Sequence, residues 1–456
     1  MVSANINEEK TKNIDIIKGE PKRAIRKLAP SIIFLRILGT IYSLVDIIWM
    51  SGLGSDALAA MGFVTPLMLI VTGISNGVDV GTSSIIVRAI GAKREDVANN
   101  AALHSLVITI IIGIIIPFMI PIMPTIITLI GGASTMSYAL PYSNIMFLFM
   151  IVFLLQTTLT AILRSEGDVN RTAFIVGIST VINIILDPIF IYTLNMGMAG
   201  AAWTLVISSL ISCILMAYLI WIKKDTYLDL NLHRFKPSKF LLVEIFKVAI
   251  PAGLDQIVMS AFALCINSMI MIVATVTEVA AFTVTMKIID LATIPILGLG
   301  TALLTVSGAA YGDRNYEKME ISLSYTLKLG FLVSIILAVL LFIFAPQISL
   351  LFSFTAGTTG LSSQVTEIMS LMIFFLLSMP LGVTGNSMFQ GVGRATNALL
   401  VAFVRTFVFG GILAYLLGIV LGLGDIGIYL GIIIGNLLGS MFGYEWARFF
   451  IKESKE

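Results

Sequence analysis

The sequence predicts an all-α membrane protein of twelve transmembrane helices, arranged as two pseudo-symmetric six-helix bundles. Low charge, long apolar runs and a repeated set of motifs predict it. The 456-residue chain is 58% hydrophobic and only 12% charged, whereas soluble globular proteins carry roughly 25% charged residues. Its apolar blocks are long enough for helices that cross a ~30 Å hydrocarbon core. The blocks do not alternate as barrel strands do, so helices are expected.

Basic residues set the expected orientation of these helices. Lys and Arg cluster in every second connecting segment, which predicts the cytoplasmic side of a multi-pass protein of the cell membrane. Both termini are then cytoplasmic, and with twelve spans the basic connecting segments all lie on the cytoplasmic side. The predicted spans are 28–50, 57–87, 100–125, 137–163, 172–195, 200–222, 248–275, 279–308, 322–346, 365–390, 397–420 and 425–448.

A long polar segment divides the chain into matching halves. Each half has six spans, so the two share one orientation and form parallel repeats, as in many transporters. The predicted domains are a cytoplasmic tail (1–27), an N-lobe (28–222), a cytoplasmic linker (223–247), a C-lobe (248–448) and a C-terminal tail (449–456). The motifs that recur are Ala29-Pro30 with Ile250-Pro251 and Arg88–Gly91 with Ala309–Gly312, both at an offset of 221, and Arg164–Asp168 with Gln390–Arg394 at 226.

Two acidic residues lie deep in predicted spans of the first half. Asp46 is about 27 Å and Asp187 about 23 Å from the inner ends of their helices at 1.5 Å per residue. An ionisable group at a helix centre costs about 2.5–3.5 kcal/mol on insertion scales. This cost indicates that both acids have a role that requires them inside the membrane, and cation coupling is the interpretation we favour.

The surroundings of Asp187 favour an oxygen-rich cation site. Asn183 is four residues earlier on the same helix face, and Pro188 deprives a carbonyl of its usual hydrogen bond. Such a set suits Na⁺, held by Asn183, Asp187 and Thr204, or a proton on Asp187. Tyr42, Thr160 and Thr204 are expected to support the site, with Tyr42 hydrogen-bonding Asp46.

Other polar residues within spans are candidates to line a substrate cavity. Asn267 stands 221 residues after Asp46, so the acid has no acidic counterpart in the second half. The alternative is a structural role: the acids satisfy buried polar groups or pair with intramembrane bases, as Lys287 and Asp290 would at a spacing of three. The cavity candidates are Arg36, Asp255, Asn267, Lys287, Asp290 and Arg405.

Several features of the sequence disfavour other classes of protein. A net charge of +2 gives no reason to expect a nucleic-acid partner. No phosphate-binding Walker loop is present, and the two histidines, His104 and His233, lack metal-ligand spacing. We therefore expect no enzyme activity and no cofactor beyond a coupling Na⁺ or H⁺, and a protein that works as a monomer in a lipid bilayer.

Several motifs together resemble the multidrug and toxic compound extrusion family over essentially the whole chain. The residues that carry the resemblance are Leu44–Asp46, Leu53-Gly54, Ala57–Ala60, Arg88–Gly91, Arg164–Asp168, Asn183–Pro188, Gly200–Ala202 and Gln390–Arg394. In this family Asp46 matches the first-helix acid of the prokaryotic branch, and Asn183 and Asp187 match the fifth-helix pair. The family's sixth-helix Thr appears one residue early here, as Thr204.

The resemblance implies two six-helix lobes with alternating access. Inward flow of Na⁺ or H⁺ would drive export of small amphipathic, often cationic compounds. Two alternatives remain open at this stage. One is a flippase for a lipid-linked oligosaccharide, which would need a strongly cationic cavity, and the other is an integral membrane enzyme.

Overall fold

The computed structural model describes residues 14–129, 132–350 and 361–456, and within these ranges the protein is all-α. Most of the predicted N-terminal tail and much of the loop before the tenth span lie outside the described residues. Each predicted span corresponds to a helix or a bent helix pair, so the predicted fold class is confirmed. Most of the helices are longer than the predicted spans because regular backbone continues beyond the apolar core.

The first six spans begin directly after a short helical segment at 14–18. The fourth span is broken by 50° between its two parts, the third contains a 3₁₀ segment at Ile116–Ile122, and the fifth and sixth end in π turns. Their bounds are α1 Pro21–Ser51, α2 Ser55–Gly91, α3 Glu95–Leu129, α4 Ala133–Leu148 with Met150–Ser165, α5 Val169–Thr193 and α6 Gly197–Ile222.

The last six spans follow a non-membrane segment at 223–238. The first of them begins at Lys239, nine residues before the predicted start at 248, because the amphipathic turns that precede the apolar block are already helical. Their bounds are α7 Lys239–Val273, α8 Val276–Gly312, α9 Tyr316–Leu350, α10 Leu361–Gly391, α11 Ala395–Val420 and α12 Gly424–Lys455.

The chain forms two compact units that divide between Gly253 and Leu254, within α7. Four helix pairings recur in both. In the first unit α2 packs against α3 and α4, α4 against α6, and α5 against α6. In the second unit α8 packs against α9 and α10, α10 against α12, and α11 against α12. The lobe limits inferred from the sequence remain predictions.

Matching helix ends in the two halves of the chain have the same backbone geometry. Lys93 and Arg314, 221 positions apart, are left-handed with φ of 58° and 54°. Gly167 and Gly393, 226 positions apart, have φ of 86° and 84°. After each, an amide reaches back five residues, as in the helix-terminating Schellman motif. The offsets read from the motifs are therefore those of the structure.

Apolar side chains cover the outside of these helices as well as the core. Phe118 is 76% exposed, Phe174 68% and Leu332 55%. Large apolar side chains exposed along helices of this length suit contact with lipid, where the backbone satisfies itself within each helix. The small-residue ridge of α12 serves packing, because a Cβ at Gly435 would fall 2.4 Å from the backbone of Gly410 in α11.

Candidate functional site

The ends of α5 and α6 approach each other closely because α6 begins with small residues. A Cβ at Gly200 would lie 2.7 Å from the backbone carbonyl of Phe190, in the π turn that ends α5. The absence of that Cβ lets the two helices meet. One turn further along α6, the hydroxyl of Thr204 donates a hydrogen bond to Oδ1 of Asp187. The two residues are expected ligands of the same cation, and the structure places them in contact.

Asn183 and Asp187 form a buried polar pair on α5. Asp187 is fully buried and Asn183 is 2% exposed. Oδ2 of Asp187 and both amide atoms of Asn183 have no hydrogen-bond partner among the described residues. Buried polar atoms are bonded in the great majority of cases. Oxygen atoms that are left over in this way, one helical turn apart, fit a bound proton or Na⁺.

Asp46 reaches the same region from α1, which packs against α5. Its side chain is 6% exposed, and its Oδ1 has no hydrogen-bond partner within the described residues. Asp46 and Asp187 lie within electrostatic range of each other. No Lys or Arg of the described part of the chain forms an ion pair with either. Two buried acids therefore share a site without a fixed counter-charge.

Two tyrosines border this acid pair. The expected hydrogen bond between Tyr42 and Asp46 is wrong: the Tyr42 hydroxyl is buried with no hydrogen-bond partner in the described ranges. Tyr42 nevertheless lies within electrostatic range of both acids, and so does Tyr142 of α4, which is 4% exposed. Tyr142 is not among the site residues that the sequence predicts. It lies in an apolar helix with no motif around it, and only helix packing brings it to the acids.

A separate contact fixes the C-terminal end of α1 to α5. The Tyr192 hydroxyl, in the π turn of α5, donates a hydrogen bond to the carbonyl of Trp49. The two rings pack edge-on with centroids 6.2 Å apart. Trp49 follows Asp46 by one turn, so this contact holds the helix segment that carries the acid.

Thr160 is not part of this site. Its hydroxyl lies 3.8 Å from Sδ of Met216 on α6. Met216 is twelve residues beyond Thr204, about 18 Å along the same helix. The prediction that Thr160 supports the cation site is therefore wrong in position: α4 runs past the acids and presents Thr160 near the other end of the bundle.

Asp79, another acid of the first unit, does have a counter-charge. Arg164 lies 2.6 Å from Asp79 and also donates to the hydroxyl of Ser83. Arg36, predicted to line a cavity, is exposed on α1 and lies within electrostatic range of both Asp79 and Arg164. These groups form an ion-paired cluster distinct from the one around Asp187.

The cavity candidates of the second unit fall into two groups. Asp255 of α7 lies within electrostatic range of Asn386 of α10 and of Arg405 of α11. Lys287 and Asp290 are exposed on α8 and interact electrostatically; the ion pairs found in the described residues do not include them. Asn267 is half-buried on α7.

Comparison with known proteins places the chain among membrane transporters. Its sequence is 26% identical over 308 residues, 66% of either chain, to the "Probable multidrug resistance protein YoeA" of Bacillus subtilis (strain 168). It is 23% identical over 81% of either chain to the "Multidrug export protein MepA" of Staphylococcus aureus. The fold matches a solved "MOP superfamily transporter from Pyrococcus furiosus" with a TM-score of 0.94 and 34% identity, over 98% of this chain and 99% of that one.

The relatives and the solved structures that match this chain are membrane transporters, so the helical membrane fold described above is that of a transporter rather than an enzyme. The sequence profile of the MatE family matches twice, at residues 31–189 and 251–416, so each half of the chain carries one copy of the domain. The protein belongs to the MatE family, the multidrug and toxic compound extrusion family to which its motifs pointed.

Proposed function

We propose that this protein is an antiporter that exports small amphipathic, often cationic compounds in exchange for Na⁺ or H⁺. The observation that carries the proposal is the pair Asp46 and Asp187, buried in one site with no ion-paired base among the described residues. Relatives named as multidrug export proteins support the substrate class.

The coupling cation binds at Asp187, with Asn183 and Thr204 as the neighbouring oxygen ligands. A carboxylate removed from water is costly unless its charge is compensated. A proton or Na⁺ at Asp187 supplies that compensation and also removes the repulsion that Asp46 experiences from its neighbour. Occupied and empty sites therefore stabilise different helix arrangements, which is the condition for a ligand to shift a conformational equilibrium.

Asp46 gives the exported compound a means of competing with the coupling cation. A cationic substrate held near Asp46 compensates the same local negative charge that Na⁺ or H⁺ compensates at Asp187. Binding of one then weakens binding of the other, and coupling of this kind is reciprocal between two sites. Exchange, rather than co-transport, follows from that competition.

The flippase alternative fits less well. A pyrophosphate-linked glycan would call for unpaired basic groups, but the intramembrane bases have acids nearby. Arg36 lies within electrostatic range of Asp79, Lys287 of Asp290, and Arg405 of Asp255.

We also propose that the protein works as a monomer in the cell membrane with both termini in the cytoplasm. The basic residues of the connecting segments support this orientation. Cysteine variants at exposed positions near the two chain ends, such as Lys27→Cys and Lys452→Cys, test it. The variants are made in a background in which Cys213 and Cys265 are replaced by Ala. In intact cells, neither introduced cysteine should react with a membrane-impermeant maleimide.

Transport by the purified protein in proteoliposomes tests the proposal. Ethidium efflux is measured under a Na⁺ gradient, a pH gradient, both, or neither. Asp187→Asn and Asp46→Asn should each abolish gradient-driven efflux while the protein remains monodisperse. Asp56→Asn, an exposed acid at the start of α2, is the matched control and should keep wild-type transport. Unchanged efflux in both site variants would overturn the assignment, and the gradient that drives the wild type identifies the coupling ion.

A further inference from the structure

A cavity of about 440 Å³ lies in the second unit beside the end of α12. The residues that line it are far in sequence from Asp46 and Asp187, and they belong to the other unit. Glu320 near the start of α9 forms one side, and the last three turns of α12 form the rest. The residues that line it are Glu320, Glu445, Arg448, Phe449, Ile451, Lys452 and Lys455.

The charged groups of this cavity leave one positive charge in excess. Lys455 lies 2.5 Å from Glu320, and Arg448 lies 3.2 Å from Glu445. The side chains of both pairs are at least 40% exposed, and ion pairs at that exposure open readily. Lys452 is exposed and belongs to none of the ion pairs found in the described ranges. The cavity can therefore accept one anionic group among three bases.

An apolar groove continues directly from this charged cavity. It has a volume of about 470 Å³ and is lined by Met441, Phe442, Glu445, Trp446 and Phe449, so Glu445 and Phe449 belong to both. Phe449 is 63% exposed and Phe442 44%. The ring of Phe442 packs against that of Trp446 at 5.6 Å. Of these aromatic side chains, Trp446 is of the type enriched at the boundary between hydrocarbon and headgroups.

We propose that these two cavities form a binding site for one anionic phospholipid. The phosphodiester lies between Arg448, Lys452 and Lys455, and an acyl chain lies along Phe442 and Phe449. Lysine and arginine stems commonly extend towards the headgroup region while their charges stay in water, and basic clusters there attract anionic lipids. The assignment of the site to the cytoplasmic leaflet rests on the orientation proposed above.

The arrangement distinguishes a lipid from a soluble anion. A free phosphate would occupy only the charged cavity and gain nothing from the exposed aromatic groove beside it. A phosphatidylcholine would fill the groove, but its choline group would place a positive charge among the three bases. An anionic phospholipid satisfies both parts of the site.

Native mass spectrometry of the full-length protein in detergent tests the site without reference to transport. Palmitoyl-oleoyl phosphatidylglycerol is titrated against wild type and against the triple variant Arg448→Gln, Lys452→Gln, Lys455→Gln. The control variant Lys93→Gln, Arg94→Gln, Lys224→Gln removes three exposed bases of the first unit. We expect a loss of affinity of roughly thirtyfold to a hundredfold in the site variant and no change in the control, because the contributions of three bases at such a surface multiply.

Two further variants keep the test decisive. Lys452→Gln alone should lower the affinity about threefold, and it is usable if the triple variant does not fold. Phe449→Ala should lower it by a similar factor with every charge retained. Equal losses in the site and control variants, equal affinity for phosphatidylcholine, or displacement of the lipid by millimolar inorganic phosphate would each overturn the proposal. Because binding is read directly, failed drug export would leave this result unaffected.

Discussion

Nε2 of His104 accepts a hydrogen bond of 2.9 Å from the backbone amide of Ser238, while its Nδ1 lies 2.7 Å from the carbonyl of Asn100. A donor faces one nitrogen and an acceptor the other, so the imidazole is neutral with its proton on Nδ1. Ser238 stands immediately before α7, and its hydroxyl accepts from the amide of Leu241. His104 on α3 therefore fixes the start of the helix that leads into the second unit.

The segment 223–238 is held to the first unit along its whole length. Asn99 accepts from the amide of Asp229, and Asn100 both donates to and accepts from the backbone of Lys236. Leu228 and Leu230 are buried in the same apolar cluster as residues of α2, α3 and α4. What looked from composition like a polar linker is a packed part of the first unit.

Replacing His104 with Phe should loosen this segment selectively. The ring of Phe can still pack against Phe235, whose centroid is 4.8 Å from that of His104, but the amide of Ser238 loses its acceptor. A buried donor without a partner costs about 1–3 kcal/mol. We expect faster hydrogen exchange across 225–241 and unchanged exchange in α8–α12. Unaltered protection of 225–241 would contradict this reading of the His104 contact.

Glu166 should make the first unit less stable as pH rises. Burial, reinforced by the nearby negative charge of Asp168, raises the pKa of this carboxyl to about 8 from an ordinary value of 4.5. The amide donors of Leu228 and Tyr227 and the charge of Arg171 oppose this rise. Between these pH values the folded chain keeps a proton that the unfolded chain releases. Stability therefore falls as pH rises through this window.

Glu166→Gln should remove that dependence because the amide stays neutral and keeps an oxygen for the amide of Leu228. At pH 8.5 we expect the variant to have a higher melting temperature than the wild type, and a free energy of unfolding that is higher by on the order of 1–2 kcal/mol. At pH 5.5 the two melting temperatures should lie closer together. Thermal unfolding in detergent at the two pH values provides the measurement. A wild-type melting temperature that rises from pH 5.5 to 8.5 and a variant that follows it would contradict the assignment.

The sequence could predict the helices and the depth of the acids because both depend on local properties. Apolar block length defines a span, and helical rise places Asp46 and Asp187 at similar heights. The contact between Asp187 and Thr204 also has a sequence signal, the small residues that open α6. The motif offsets predicted the repeat, and the left-handed residues Gly167 and Gly393 confirm it.

The contacts that the sequence missed depend on rotation and bending of helices. Tyr142 lies within electrostatic range of the acids on the first part of α4, which is bent by 50° relative to the part after Leu148. Thr160 has the right chemistry but lies too far along α4. Whether Tyr42 bonds Asp46 is decided by side-chain torsions, since residues four apart on a helix are neighbours in either case.

Gly200→Ala tests whether the site requires the close approach of α5 and α6. The added Cβ would lie 2.7 Å from the backbone of Phe190, so the helices must separate, at a cost of about 1–3 kcal/mol for overpacking. We expect a lower melting temperature and weaker ion-driven efflux. Gly62→Ala on α2 is the control, because a Cβ there meets nothing within 4 Å. Equal behaviour of the two variants would show that the approach is not required.

Comparison of Thr204→Val with Thr204→Ser separates the contribution of the hydroxyl from that of the side-chain shape. Val keeps the branched side chain but removes the donor to Asp187, whereas Ser keeps the donor. A hydrogen bond to a charged group contributes about 1.5–3 kcal/mol, so the cation concentration for half-maximal efflux should rise about tenfold or more in the Val variant. The Ser variant should stay within about threefold of wild type, because it loses only the methyl contact. Proteoliposome efflux measured over a series of Na⁺ concentrations and external pH values compares the three proteins. A Val variant with wild-type cation dependence would remove Thr204 from the coupling site and leave Asn183 as the neighbour on which Asp187 depends.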